Sequence, residues 1–132
     1  IPSRLVGSEM CIRDRLELYR CDGDKLNDES FLRCTLSKAA KLAKATVLNL
    51  ISNKFEPQGV TAIALLAESH ISIHTWPESN YSAVDIFTCG QNMMPEQASQ
   101  YLIKSLMAEE HSLRVIARNP PASVLKEIRS IV

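Results

Sequence analysis

Val60-Thr61-Ala62-Ile63-Ala64-Leu65-Leu66-Ala67-Glu68-Ser69-His70-Ile71-Ser72-Ile73-His74-Thr75-Trp76-Pro77-Glu78 is the stretch that decides the fold. Val60 to Ala67 is an almost unbroken apolar run of strand length. Beyond Glu68 and Ser69, Ile71 and Ile73 alternate with Ser72 and His74, the pattern of a half-buried strand. Trp76 to Asn80 reads as a turn, and Ser82 to Thr88 as the next strand. Connections this short join antiparallel neighbours, because a parallel pair needs a crossover of a dozen or more residues.

Upstream, Thr46 to Ile51 is β-branched and apolar and predicts a strand, followed by the loop Lys54-Phe55-Glu56-Pro57-Gln58-Gly59. Before it, Leu16 to Tyr19 alternates as a short strand and Asp22-Gly23-Asp24 marks a turn. Asn27 or Asp28 can cap a helix in which Phe31, Leu32, Thr35, Leu36, Ala39, Leu42 and Ala43 recur at helical spacing. Downstream, Pro95 suits the first turn of a second helix, with Ala98, Tyr101, Leu102, Ser105 and Leu106 as its buried stripe. Ser112 to Ala117 is a last strand that Pro120-Pro121 ends, and the tail from Ala122 is weakly helical. The expected class is α+β: a two-layer sandwich, an antiparallel sheet with two helices on one face. Its open face, or an edge, is then available for dimerisation.

The chain has 132 residues, the size of one domain. Its 15 Lys+Arg balance 15 Asp+Glu, which argues against a nucleic-acid partner, since such a domain carries a basic patch. No apolar run approaches the roughly 18 residues of a membrane span. Ile1 to Arg15 shows neither strand nor helix period and resembles a translated sequencing adapter, so the expectation is a non-native tail at 1–15 and one domain over 16–132. With no secretory signal, the expected location is the cytoplasm and the expected state of all four cysteines is the free thiol. Cys21 and Cys34 read as buried or half-buried small hydrophobes. No C-x-x-C pair suggests a zinc ribbon, and no third ligand accompanies His70 and His74, so no metal is expected.

Three residue types in this segment can do chemistry together. The Ser69 hydroxyl can attack the carbonyl of Glu68, turning an amide into an ester that β-elimination then breaks. A held, distorted peptide and an imidazole to shuttle the proton both assist such a step. On a strand, His70 and His74 share one face with Ser72 and Trp76, whereas strict alternation puts Ser69 opposite His74, so a bend near Ser69 is needed to unite them. Cys89 ends an apolar strand before Gly90 and, as a thiol, holds a proton at neutral pH that a carbanion can take. Phe55 and Trp76 can be core aromatics or can cradle a cation or flat ring.

Taken together, Lys54-Phe55-Glu56-Pro57-Gln58-Gly59-Val60, the run Glu68 to Glu78, and Tyr81-Ser82-Ala83-Val84-Asp85-Ile86-Phe87-Thr88-Cys89-Gly90 resemble the prokaryotic S-adenosylmethionine decarboxylase proenzyme family, over about Leu16 to Arg118. The resemblance implies a cut between Glu68 and Ser69, giving a β chain and an α chain, with Ser69 converted to a pyruvoyl cofactor that forms a Schiff base with the substrate amine. It further implies His74 in proton transfer during processing, Cys89 as proton donor in decarboxylation, and Phe55, Trp76 and Glu78 in substrate binding. Thr61 stands where the family usually has a serine whose hydroxyl assists the cut; the extra methyl predicts slower processing. The usual Gly-Lys-His before the first strand is absent. The implied function is decarboxylation of S-adenosylmethionine to the aminopropyl donor for spermidine synthesis, at the interface of a homodimer of processed protomers. Two alternatives stand beside it: a pyruvoyl-dependent arginine or ornithine decarboxylase, which needs no adenine platform, and an uncleaved regulatory pseudoenzyme.

Overall fold

A computed structural model describes residues 11–67, 69–89, 92–118 and 121. Six strands, β1 (Cys11–Tyr19), β2 (Val47–Lys54), β3 (Val60–Leu66), β4 (His70–Trp76), β5 (Tyr81–Thr88) and β6 (Glu110–Arg118), form one antiparallel sheet in the order β2-β3-β4-β5-β1-β6. The helices are α1 (Gly23–Leu26), α2 (Glu29–Leu42) and α3 (Pro95–Ser105). The expected α+β sandwich, its six strands and its two long helices are all present; α1 is a single additional turn at the predicted Asp22-Gly23-Asp24 turn. Asp22 caps α1 by accepting from the backbone N–H groups of Asp24 and Lys25.

Local chemistry fixes the long helices. Asp28 caps α2 by accepting the N–H of Phe31 at 3.0 Å, a bond worth about 0.5–2 kcal/mol. Leu32, Thr35, Leu36, Ala39 and Ala40 turn one face inward. Leu42, counted in that stripe from the sequence, is exposed instead, because the helix ends there and Ala43 caps it. Pro95 opens α3, whose Ala98, Ser99 and Leu102 are buried. These faces meet Leu16, Leu18, Val60, Ala62, Ala64, Ile71, Ile73, Val84 and Ile86, the inward residues of the central strands. Each fully buried Leu or Ile contributes roughly 1.5–3 kcal/mol relative to exposure.

Residues 11–15, set apart with 1–10 in the sequence reading, form the first half of β1. They pair with β5 and β6, and Cys11, Ile12 and Asp14 are buried. A strand between two neighbours is held by its backbone ladder on both sides, so an irregular sequence can occupy it. Residues 1–10 and the tail from Ala122 lie outside the described residues.

The other sheet face is uncovered within the protomer. Period-2 alternation puts Arg13, Arg15, Glu17 and Tyr19 of β1 on it, with Tyr81, Asp85 and Phe87 of β5, His70, Ser72, His74 and Trp76 of β4, and Thr61, Ile63 and Leu65 of β3. Leu65, Ile51 and Trp76 are 50%, 55% and 43% exposed. Among the described residues, no helix is long and apolar enough to cross a membrane.

Candidate active site

Ser69 lies in the turn between β3 and β4, and its carbonyl accepts the N–H of Leu66 at 2.8 Å. The Ser69 hydroxyl is 3.4 Å from Nδ1 of His70. Glu68, the other half of the predicted scissile bond, is outside the described residues. His70 pairs with Phe87, so extending that register by one step sets Ser69 beside Thr88, with Cys89 next along β5. Ser69 and Cys89 thus share one end of the sheet.

The expectation of a free Cys89 thiol does not hold in this structure. Cys89 is joined to Cys11 by a disulfide, with 4.2 Å between the Cα atoms. The cause is the register of β1: Ile12 pairs with Thr88, so the preceding residue of one strand meets the following residue of the other. In this state Cys89 carries no proton. Of the two free cysteines, Cys21 is buried as expected, and burial pushes its thiol up to about 11. Cys34 is exposed, because it falls on the outer side of α2.

His74 pairs with Thr61 across β3 and β4, and its Nδ1 lies 3.0 Å from the Thr61 hydroxyl. The threonine therefore keeps the hydrogen bond that a serine there could make. His74 does not meet Ser69 in the protomer. It lies five residues along from Ser69, about 16 Å at strand rise. A bend near Ser69 is present as the β3–β4 turn, but it does not shorten that distance.

Trp76 ends β4, packing against Tyr81 at 5.4 Å and near His74 at 6.4 Å between ring centroids. A 3₁₀ turn, Pro77–Ser79, carries Glu78, and Asn80 closes it in the left-handed region at φ 52°. Phe55, 49% exposed, lies in the β2–β3 loop beside that turn: Gly59 of the loop approaches the carbonyl of Thr75 and the ring of Pro77. Phe55, Thr61, His74, Trp76 and Glu78 thus gather at one end of the sheet, and Ser69 and Cys89 at the other.

Two hollows mark these ends. One of ≈ 220 Å³ lies beside Ser69, lined by Arg13, His70, Ser72, Asp85, Phe87 and Arg118. In it Nε and Nη2 of Arg13 both donate to one Asp85 oxygen at 2.9 and 2.8 Å, and Arg118 covers the Phe87 ring at 4.8 Å. The other, ≈ 150 Å³ and shallow, is lined by Ile51, Ser52, Asn53, Thr61 and Ile63. Asp85 and Phe87 were not singled out as site residues from sequence, although alternation alone puts them on the face of Cys89. At the Trp76 end of β5, Tyr81 donates to Glu17 at 2.9 Å; burial first, and that bond second, push its phenol up to about 12. Among the described residues no group of three or more His, Cys, Asp or Glu could hold a metal ion.

Comparisons with known proteins identify the family. Residues 15–119 match the family described as S-adenosylmethionine decarboxylase. The S-adenosylmethionine decarboxylase proenzyme of Prochlorococcus marinus strain MIT 9313 is 60% identical over 114 residues, covering 86% of this chain and 91% of that protein. The proenzyme of Methanococcus maripaludis strain S2 is 44% identical over 103 residues, covering 78% of this chain and 84% of its own. The crystal structure of adenosylmethionine decarboxylase from Aquifex aeolicus VF5 superposes with a TM-score of 0.80 at 34% identity, over 87% of this chain and 95% of that one. With the family's sequence pattern matched from 15 to 119, across both long helices and all of the sheet but the start of β1, the chain belongs to the S-adenosylmethionine decarboxylase family.

Proposed function

We propose that this chain cuts itself between Glu68 and Ser69 and then, as a homodimer, decarboxylates S-adenosylmethionine. The observation that carries the reading is the placement of Ser69 in the β3–β4 turn, at the same end of the sheet as Cys89. The Ser69 hydroxyl attacks the Glu68 carbonyl, and the acyl group moves from nitrogen to oxygen. Loss of the Ser69 α-proton then breaks the C–O bond, releasing the Glu68 carboxylate; water takes the new terminal nitrogen away as ammonia and leaves a pyruvoyl group. The site fits that group: a turn residue beside a hollow, at the same end of the sheet as a cysteine that can supply a proton once its disulfide to Cys11 is reduced. The carbonyl of the pyruvoyl group supplies an electron sink for the carbon that loses carbon dioxide.

The chain's own residues do the rest. Cys89, reduced, holds the proton that the product carbon needs. A reducing cytoplasm is the compartment that keeps it so. Phe55 and Trp76 offer ring faces to the sulfonium and the base, each contact worth roughly 0.5–2 kcal/mol, and Glu78 adds an opposite charge. The named relatives favour S-adenosylmethionine over arginine or ornithine.

The dimer is part of the reading. His74, hydrogen-bonded to Thr61, serves the proton transfers of processing, yet lies about 16 Å from Ser69 in its own chain. Packing two open faces about a two-fold axis that crosses the strands sets the Ser69 end of one β4 over the His74–Trp76 end of the other. Each site then draws Ser69 and Cys89 from one protomer and Thr61, His74, Phe55, Trp76 and Glu78 from its partner. Exposed Ile51, Leu65 and Trp76 lose water contact in the same step. The enzyme is read as residues 16–132, to which 11–15 add the first half of β1.

Denaturing mass spectrometry in reductant, with carbon dioxide release from S-adenosylmethionine, arginine and ornithine, tests the proposal. Two fragments meeting at 68 and 69, and release from S-adenosylmethionine alone, are expected. An uncut chain, or release from arginine alone, overturns it.

A further inference from the structure

One short segment, Cys21 to Asn27, is tied by hydrogen bonds to both loops that carry the substrate-facing side chains. The Asn27 side-chain oxygen accepts the N–H of Gly59 at 2.9 Å, and the Gly59 carbonyl accepts the N–H of Phe55 at 2.8 Å. Gly59 therefore relays Asn27 to Phe55 through its two backbone groups. Gly59 has φ +104°, and a Cβ there would lie 3.1 Å from the Thr75 carbonyl, so only glycine lets the loop come this close. Thr75 fastens the same corner: its hydroxyl donates to the Leu26 carbonyl at 2.7 Å and accepts the Val60 N–H at 2.8 Å. On the other side, Asn80 donates its side-chain amide to the Cys21 carbonyl at 2.9 Å, and the Cys21 N–H reaches the Asn80 carbonyl at 2.9 Å. That second tie holds the turn bearing Glu78.

We propose that Asn27 is a positioning residue for substrate binding, acting through Gly59 on Phe55 from a segment that touches no substrate itself. Apart from the Asn27 contact, the Phe55–Gly59 bond ties the loop across its neck, next to the Lys54–Val60 pair that ends the β2–β3 ladder. Removing the Asn27 acceptor leaves the Gly59 N–H without its partner and lets the loop sample conformations in which Phe55 is out of place. The cost falls on binding, since Phe55 contacts the base or sulfonium and not the bond that breaks. The inference rests on the assignment of Phe55 to the substrate platform.

The test is steady-state kinetics on the processed full-length enzyme in reductant, normalised to pyruvoyl content by hydride reduction. Asn27→Ala is expected to raise KM for S-adenosylmethionine about 3- to 10-fold, the worth of one hydrogen bond, with kcat within about twofold. Asn27→Asp keeps the acceptor oxygen and is expected to restore the wild-type KM. In a Phe55→Ala background, Asn27→Ala is expected to add nothing further, because both changes act on one contact. If Asn27→Ala lowers the melting temperature or pyruvoyl yield but leaves KM as in wild type, or if Asn27→Asp fails to restore it, the positioning role is refuted. If Phe55→Ala itself leaves KM unchanged, the platform assignment falls and this proposal falls with it.

Discussion

Two inactive versions of this chain should repair each other. In one protomer His74 is five strand residues from Ser69, about 16 Å, whereas proton transfer needs contact near 3 Å. No rotamer of His74 covers that gap, so in the proposed dimer the His74 that serves a given Ser69 comes from the partner, while His70 of the same chain already lies 3.4 Å from that hydroxyl. Ser69→Ala has no hydroxyl to attack the chain, and His74→Ala lacks the histidine assigned to processing, so homodimers of either should remain uncut. In a heterodimer, the His74→Ala chain contributes Ser69 and faces the intact His74 of the Ser69→Ala chain, so it alone is cut. With equal amounts and random pairing, about half of the molecules sit in heterodimers, so about half of the His74→Ala chains are cut. The assay is co-expression of the two variants with different tags, followed by denaturing electrophoresis in reductant. Cleavage of His74→Ala by itself, or none in the mixture despite shown heterodimers, would refute the geometry argued from the Thr61–His74 pair.

Other consequences can be measured independently. Thr75→Val keeps the shape of a buried side chain but strands the Leu26 carbonyl and Val60 N–H; in the uncut Ser69→Ala background it should cost about 2–4 kcal/mol by urea unfolding, and a loss under about 0.5 kcal/mol would show those groups satisfied otherwise. Cys11 precedes the cut and Cys89 follows it, so fragments formed without reductant should migrate together and be inactive, and dithiothreitol or Cys11→Ser should separate them and free the Cys89 thiol; separate fragments on a non-reducing gel would contradict the pairing. Burial, with the bond to Glu17, raises the Tyr81 phenol from 10.0 to about 12. The neutral phenol is the form the fold favours, so its contribution to stability is complete below pH 10.0 and is lost as pH rises towards about 12. Tyr81→Phe should therefore remove the phenolate transition near pH 12 in an ultraviolet titration, and an unchanged titration would reject that environment.

The sheet was legible from sequence where its elements are locally self-sufficient. Val60 to Ala67, Ile71 to Ile73 and Ser82 to Thr88 announce strands by composition and period, and short turns fix their antiparallel order. The helices were legible from Asp28, Pro95 and their buried stripes. Less legible was β1: buried Asp14 interrupts the alternation of Ile12, Leu16 and Leu18, and its insertion between β5 and β6 depends on pairing across most of the chain. The same holds for the Cys11–Cys89 contact, 78 residues apart in sequence, and for Asn27 against Gly59. Chemistry-bearing residues were read by type and resemblance, but their division between the two ends of the sheet is a matter of register. Alternation set Ser69 and His74 on opposite faces; distance along the strand, not facing, is what keeps them apart.

The most direct measurement is the mass of the carboxy-terminal fragment of the purified protein, before and after treatment with borohydride. The account predicts a fragment that starts at position 69, has lost the serine amine in favour of a ketone, and gains the mass of two hydrogens on reduction. A fragment that starts with intact serine and ignores the hydride, or a chain that never divides, would contradict it.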